Sequence, residues 1–296
     1  MKTTRDRTAA QCGATFLFAV FAIAGTSARA GLIDAESFNY QGASLDTQNG
    51  GTGWSGGWFT TSGSQTNSLT NDGVSLAYPV PYEVPLIAPT PAGSHVRTGG
   101  TTGNANSSRL LSQTINLAVD GTVRYVSALF RKNTANGATA SDNILLEFVD
   151  ASANRRWGVG IEGTGDKPWL NANGSTTPSA GPAVTVGDTY LMVAKIVSSA
   201  ASTDQAFLKV YGTGYGAQVP VSEPTTWDAT LTQTTGAILD RIRIRIDSAN
   251  AAASPGEVDE IRIADNWLDV VSVVPEPSSL TLMGFAALMV GLRRRG

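Results

Sequence analysis

Glu257 and Asp259 stand two residues apart in the stretch Glu257-Val-Asp-Glu-Ile-Arg-Ile263. Side chains on a strand alternate between faces, so these two carboxylates share one face and Glu260 points to the other. Two carboxyls about 5 Å apart can perform retaining glycoside hydrolysis, one as nucleophile and one as acid. The next residue on the shared face is Ile261, which supplies no further carboxylate. An isolated acidic pair of this kind reads first as a solvated face, so no catalytic residue is assigned and a polysaccharide-cleaving hydrolase stands as the alternative. His95 is the only histidine, which leaves a histidine-based triad or a multi-histidine metal site short of parts. In the loop Pro89–Gly103 it reads as a surface residue. Gly-rich Gly50–Gly57 lacks the Lys-Ser/Thr and the following helix of a phosphate-binding loop. The loop acids Asp46, Asp72 and Asp188 form no calcium-ligand series. Neither a metal nor a cofactor is expected.

Binding is better provided for than catalysis. Pyranose rings stack on aromatic side chains, and planar polar groups take their hydroxyls. Trp54, Trp58, Trp157, Trp169 and Trp227 are candidates, against the ordinary use of tryptophan in core and rim packing. Trp169-Leu-Asn-Ala-Asn-Gly174 is the best local group, so Trp169, Asn171 and Asn173 form the candidate carbohydrate site. Arg241, Arg243 and Arg245 alternate with Ile242, Ile244 and Ile246. That places three guanidiniums on one strand face, either to bind an anionic polysaccharide or, as a plain solvent face, to be balanced by acids such as Glu257 and Asp259 on a neighbouring strand.

The elements that must position these residues are strands. No long 3.6-residue periodicity occurs, and short apolar or alternating runs recur between turn signals in a chain with 32 glycines, an all-β pattern. The clearest strands are Thr122–Lys132, Asn143–Val149, Trp157–Glu162, Thr189–Ser198, Gln205–Tyr211, Asp240–Asp247 and Glu257–Ala264. Asn71-Asp72-Gly73 reads as a hairpin turn, and Thr98–Ser108 and Asn171–Pro182 read as polar loops. Strands of this number and length close most economically as two packed sheets. The expected fold is an antiparallel jelly-roll-like β-sandwich over residues 31–272, a span within reach of one domain.

The two ends concern routing. Lys2, Arg5 and Arg7 precede an apolar run from Ala14 to Ala24, and Ala28-Arg29-Ala30 places small residues where a signal peptidase reads. Residues 1–30 are therefore expected to be a secretory signal peptide, cleaved before Gly31. Cys12, the one cysteine, lies within it, so the mature chain has no disulfide. Removing residues 1–30 takes Lys+Arg from 21 to 17 and Asp+Glu from 24 to 23, a net charge near −6. That excludes nucleic acid as the expected partner, because phosphate neutralisation wants a basic surface. At the other end Pro275, Glu276 and Pro277 precede an uncharged segment, Ser278–Leu292, and then Arg293, Arg294 and Arg295. Fifteen residues fall short of the roughly 20 that span a bilayer unaided. The terminal arginines favour the cytoplasmic side.

Residues 273–296 resemble the PEP-CTERM sorting tail, which is also catalogued under an ice-binding-protein C-terminal name. The resemblance implies recognition of the Pro-Glu-Pro motif by a membrane exosortase. It also implies export through the inner membrane, transient residence there, and release to the cell surface or extracellular matrix. Glu257–Ile263 followed by Asn266-Trp267-Leu268 is similar to the closing strand of laminin-G-like and concanavalin-A-like domains. Glu36-Ser-Phe-Asn-Tyr40 with Gln48-Asn-Gly-Gly-Thr-Gly-Trp-Ser-Gly-Gly-Trp58 looks like the opening of exported proteins with that body. Some concanavalin-A-like proteins are hydrolases whose catalytic strand reads Glu-X-Asp-X-Glu, the pattern from which Ile261 departs. The expectation is a non-enzymatic surface or matrix protein. Its expected partners are the processing enzymes and a candidate exopolysaccharide, and a purely structural or adhesive role is a further alternative.

Overall fold

The computed structural model describes residues 31–61, 67–70, 74–83, 93–98, 103–134, 142–200, 203–248 and 254–272. The signal segment, the sorting tail and the Asn71-Asp72-Gly73 turn lie outside the described residues. The strands are β1 (Leu32–Glu36), β2 (Phe59–Thr60), β3 (Asn67–Leu69), β4 (Val96–Thr98), β5 (Gly103–Asn116), β6 (Val123–Lys132), β7 (Ile144–Asp150) and β8 (Arg155–Ile161). They continue with β9 (Pro168–Ala172), β10 (Ser175–Pro178), β11 (Thr189–Val197), β12 (Asp204–Tyr211), β13 (Ala229–Gln233), β14 (Ile238–Ser248) and β15 (Gly256–Ala264), and α1 (Trp267–Val271) closes the chain.

Two antiparallel sheets face each other. One is eight-stranded, in the order β13-β12-β11-β6-β15-β4-β3, with β1 also pairing β15; the other is seven-stranded, β10-β9-β8-β7-β14-β5-β2. The seven strands expected from sequence all form, and the jelly-roll-like sandwich is the architecture. Between the sheets lie Phe130, Phe148, Trp157, Tyr190, Val258 and Ile242, Ile244 and Ile246 of β14, all buried. The eight-stranded sheet is covered on its outer face as well. There Tyr125, Leu129, Leu191, Val193 and Tyr211 pack under Leu76, Tyr82 and Val219 and under Trp267, Val270 and Val271 of α1. Burial on both faces explains why β6 and β11 read as nearly continuous apolar runs.

Two segments read as loops are strands. Residues 103–108 open β5, whose register runs from Ser248↔Gly103 to Ile238↔Asn116 along β14. Asn104 is exposed, but residues 105–109 are all buried, and because Asn106, Ser107 and Ser108 are polar this buried run is easily mistaken for polar loop. Residues 171–178 belong to the β9–β10 hairpin, in register Ala172↔Ser175. Its turn is Asn173-Gly174, with φ of 46° and 89°, the positive pair that a two-residue Asn-Gly hairpin requires.

Candidate functional site

The acidic stretch on β15 is interior structure. A β-bulge lies between Asp259 and Arg262, with Glu260 at φ 49°. The extra residue resets the alternation, so Val258, Ile261 and Ile263 all enter the core between the sheets. Glu257 is nearly buried between two partners: its Oε1 lies 3.1 Å from His95 Nε2, and its Oε2 accepts from Arg131 Nε at 2.6 Å. Asp259 is fully buried, its oxygens accepting from Leu76 N and Glu260 N at 2.8 Å each. Burial first, then the neighbouring Glu260 carboxylate, pushes the Asp259 carboxyl well above its ordinary range, against those two backbone donors. Asp259 thus lies under Leu76, and Glu257 is taken up by His95 and Arg131. His95, read as a surface residue, is 3% exposed, and its Nδ1 lies 2.9 Å from Val74 O.

Burial works against ionisation of Glu257, but the hydrogen bond and charge of His95 and the charge of Arg131 outweigh it and hold the carboxyl below its usual range. A depressed carboxylate stabilises the fold above its unfolded-state pKa, and that contribution is lost as the pH falls through the folded value. Glu257→Gln is therefore expected to lower the melting temperature at pH 7 and to flatten its fall on acidification below about pH 4.3. Melting curves across pH 3–7 read both effects, and an unchanged acid slope would refute the assignment.

The opening motif builds a buried polar knot that no single-residue reading anticipates. Glu36, on β1, accepts from Tyr40 Oη at 2.5 Å, from Trp58 Nε1 at 3.1 Å, from Phe38 N at 2.8 Å and from Arg109 Nη1. Arg109, on β5, also gives Nη1 to Tyr40 Oη, Nε to Gly56 O at 2.7 Å, and Nη2 to Asn49 Oδ1 and Gly50 O at 2.9 and 2.7 Å. Its guanidinium carbon sits 5.0 Å from the Trp54 ring centre and 5.8 Å from that of Trp58. The Glu-Ser-Phe-Asn-Tyr and Gly-rich Trp segments thus hold one arginine, which explains their residue types without any ligand.

The seven-stranded sheet leaves its outer face to solvent, and the arginine stripe lies there. The acids that balance it are not Glu257 and Asp259, which belong to the opposite sheet. Arg243 and Arg155 share Glu147 of β7, at 2.6 and 3.1 Å. Arg245 takes Asp247 at 2.7 Å, Arg241 takes Asp240 at 2.8 Å, and Arg156 takes Asp150 at 2.7 Å. Asn154, Arg155, Arg156, Asn173, Gly174, Arg243 and Arg245 line a shallow open cleft of about 600 Å³. Glu147, 0% exposed, lies beneath it beside Gly158, its register partner. Glycine keeps that part of the sheet low. Arg245 commits only Nε, and Arg155 one η nitrogen, to partners among the described residues. Four guanidiniums meet three acids here, Glu147, Asp150 and Asp247.

Of the expected sugar site, Asn173 reaches this cleft, its Oδ1 accepting from Arg156 Nη1 at 3.3 Å. Trp169 and Asn171 are buried in β9, 8% and 1% exposed, and present little surface for stacking. Trp58 and Trp157 are buried, and Trp227 packs between Phe207 and Trp267. The local signal for the cleft is Asn154-Arg155-Arg156, an asparagine and two adjacent arginines.

Residues 273–295 match the family described as the PEP-CTERM protein-sorting motif. The motif marks an exported protein that an exosortase-type enzyme recognises and sorts at the cell envelope. Among the described residues no helix is long and apolar enough to cross a membrane. No curated protein matches the chain. Among solved structures it is similar to an endo-β-1,4-glucuronan lyase from the fungus Trichoderma reesei, with 12% identity, a TM-score of 0.46, and coverage of 78% of this chain and 98% of that one. It is also similar to the T. cruzi calreticulin globular domain, with 11% identity, a TM-score of 0.46, and coverage of 81% and 90%. Lectin UEA-II complexed with galactose gives 8% identity, a TM-score of 0.35, and coverage of 59% and 88%.

Proposed function

We propose that this is a surface or matrix binding protein whose arginine-lined cleft holds a carboxylated exopolysaccharide. The observation that carries the reading is the convergence of Arg155, Arg156, Arg243 and Arg245 on one open cleft, with η donors still uncommitted. A guanidinium fork matches a carboxylate in two parallel hydrogen bonds. The asparagines at the rim suit sugar hydroxyls. Binding rather than cleavage is favoured because the lining is arginine, asparagine and glycine. Arginine stays protonated and offers no base to abstract a proton.

The test is titration of the exported protein with uronate-containing and neutral oligosaccharides. Uronate oligomers are expected to bind and neutral ones not, with binding weakening as salt rises. Arg245→Gln and Arg155→Gln should each raise Kd by about tenfold, the loss of one charge-assisted contact. Equal binding of neutral glycans, or variants that bind like the parent, would leave the structural or adhesive reading in place. New chain ends appearing in the oligosaccharide would move the reading to the hydrolase.

A further inference from the structure

Gly31, the residue expected to follow the signal-peptide cut, is buried at the foot of β1, and its carbonyl accepts from Asp265 N at 2.9 Å. A Cβ at this position would fall 2.1 Å from Asp269 Oδ2 and 2.2 Å from Asn266 Nδ2. Only glycine lets the backbone come so close to those side chains. Asp269 is 1% exposed on α1, its Oδ2 accepting from Asn266 Nδ2 at 2.6 Å and its N–H capped by Asn266 Oδ1 at 3.1 Å. A carboxylate taken this far from water gains strongly from a cation beside it. The Gly31 nitrogen is one bond from the Cα whose Cβ would run into Asp269 Oδ2. In the uncut chain it is a neutral amide. Hydrolysis of the Ala30–Gly31 bond gives the hydroxyl of water to the Ala30 carbonyl carbon and leaves the nitrogen as an amine. With a pKa near 7.7–8.0, that amine is largely protonated at neutral pH.

We propose that the α-ammonium of Gly31, created by signal-peptide removal, pairs with Asp269 and fastens α1 to β1. The element so fastened is the last one before the sorting motif, since only Val273 and Val274 separate Ser272 from Pro275. Cutting at one end of the chain thereby firms the seat from which the other end leaves. The inference is independent of the polysaccharide reading.

The exported protein with its own C-terminus provides the test. Mass spectrometry is expected to find Gly31 as the first residue, and any other start overturns the proposal. Acetylation of the α-amine, or retention of Ala28-Arg29-Ala30 ahead of Gly31, should lower Tm by about 2–4 °C. The same treatment should speed hydrogen exchange at the Ser272 amide, which bonds Leu268 O. In Asp269→Asn, acetylation should leave Tm unchanged. No effect of acetylation on the parent, in Tm or in exchange, refutes the pairing, as does an equal effect in Asp269→Asn. The acetylation comparison on the parent chain needs no variant to fold.

Discussion

Replacing Arg109 by methionine is expected to lower the melting temperature by about 10 °C. Arg109 and Glu36 are 1% and 2% exposed and bonded to each other. Truncating one partner of such a pair costs about 3–5 kcal/mol, because the other charge stays buried without compensation. In a domain of this size each kcal/mol shifts Tm by about 2–4 °C. The substitution also removes donors from Asn49 Oδ1, Gly50 O and Gly56 O. Arg109→Lys should recover little, since an ammonium cannot reproduce the fork. The damage should be local at first, with faster hydrogen exchange over residues 36–58. A Tm within about 2 °C of the parent would mean that the knot is ornament, not fastening.

Trp267→Ala should be of similar size on the outer face of the eight-stranded sheet. Trp267 is 4% exposed, donates Nε1 to Pro220 O at 3.1 Å, and packs with ring centres 6.4 Å from Tyr211 and 6.3 Å from Trp227. Deleting a buried tryptophan side chain costs about 3–5 kcal/mol when the site cannot collapse. Here the cover over the eight-stranded sheet hangs on it. Hydrogen exchange is expected to quicken in residues 219–227 and in β6, while residues 36–58 keep their protection. Unaltered exchange at 219–227 would show that this cover is held by other contacts.

The alternating and apolar runs were enough to locate seven of the fifteen strands, because period and burial are local properties of the chain. Asp240–Asp247 shows this best: Ile242, Ile244 and Ile246 enter the core as their spacing requires. What could not be read was long-range. Nothing in Glu257-Val-Asp-Glu announces a bulge at Glu260, which depends on the register against β6. His95 looks like loop because its burial comes from partners at Val74 and Glu257. Asn173-Gly174 is the exception, since its two-residue turn signature is local and is hidden only by the amide-rich run around it. The cleft escaped because it draws on β8, β14 and the turns before β8 and after β9, each contributing one or two residues that are unremarkable alone.

The two faces of the sandwich are not equivalent, and this fixes a direction. α1 and Ser272 lie on the outer face of the eight-stranded sheet, with Arg262 Nη1 holding Ser272 O at 2.9 Å. The arginine cleft lies on the outer face of the other sheet. Sheets packed face to face are separated by only about 10 Å, yet they turn these two features in opposite directions. A body held by its C-terminus therefore turns its charged face away from the holder.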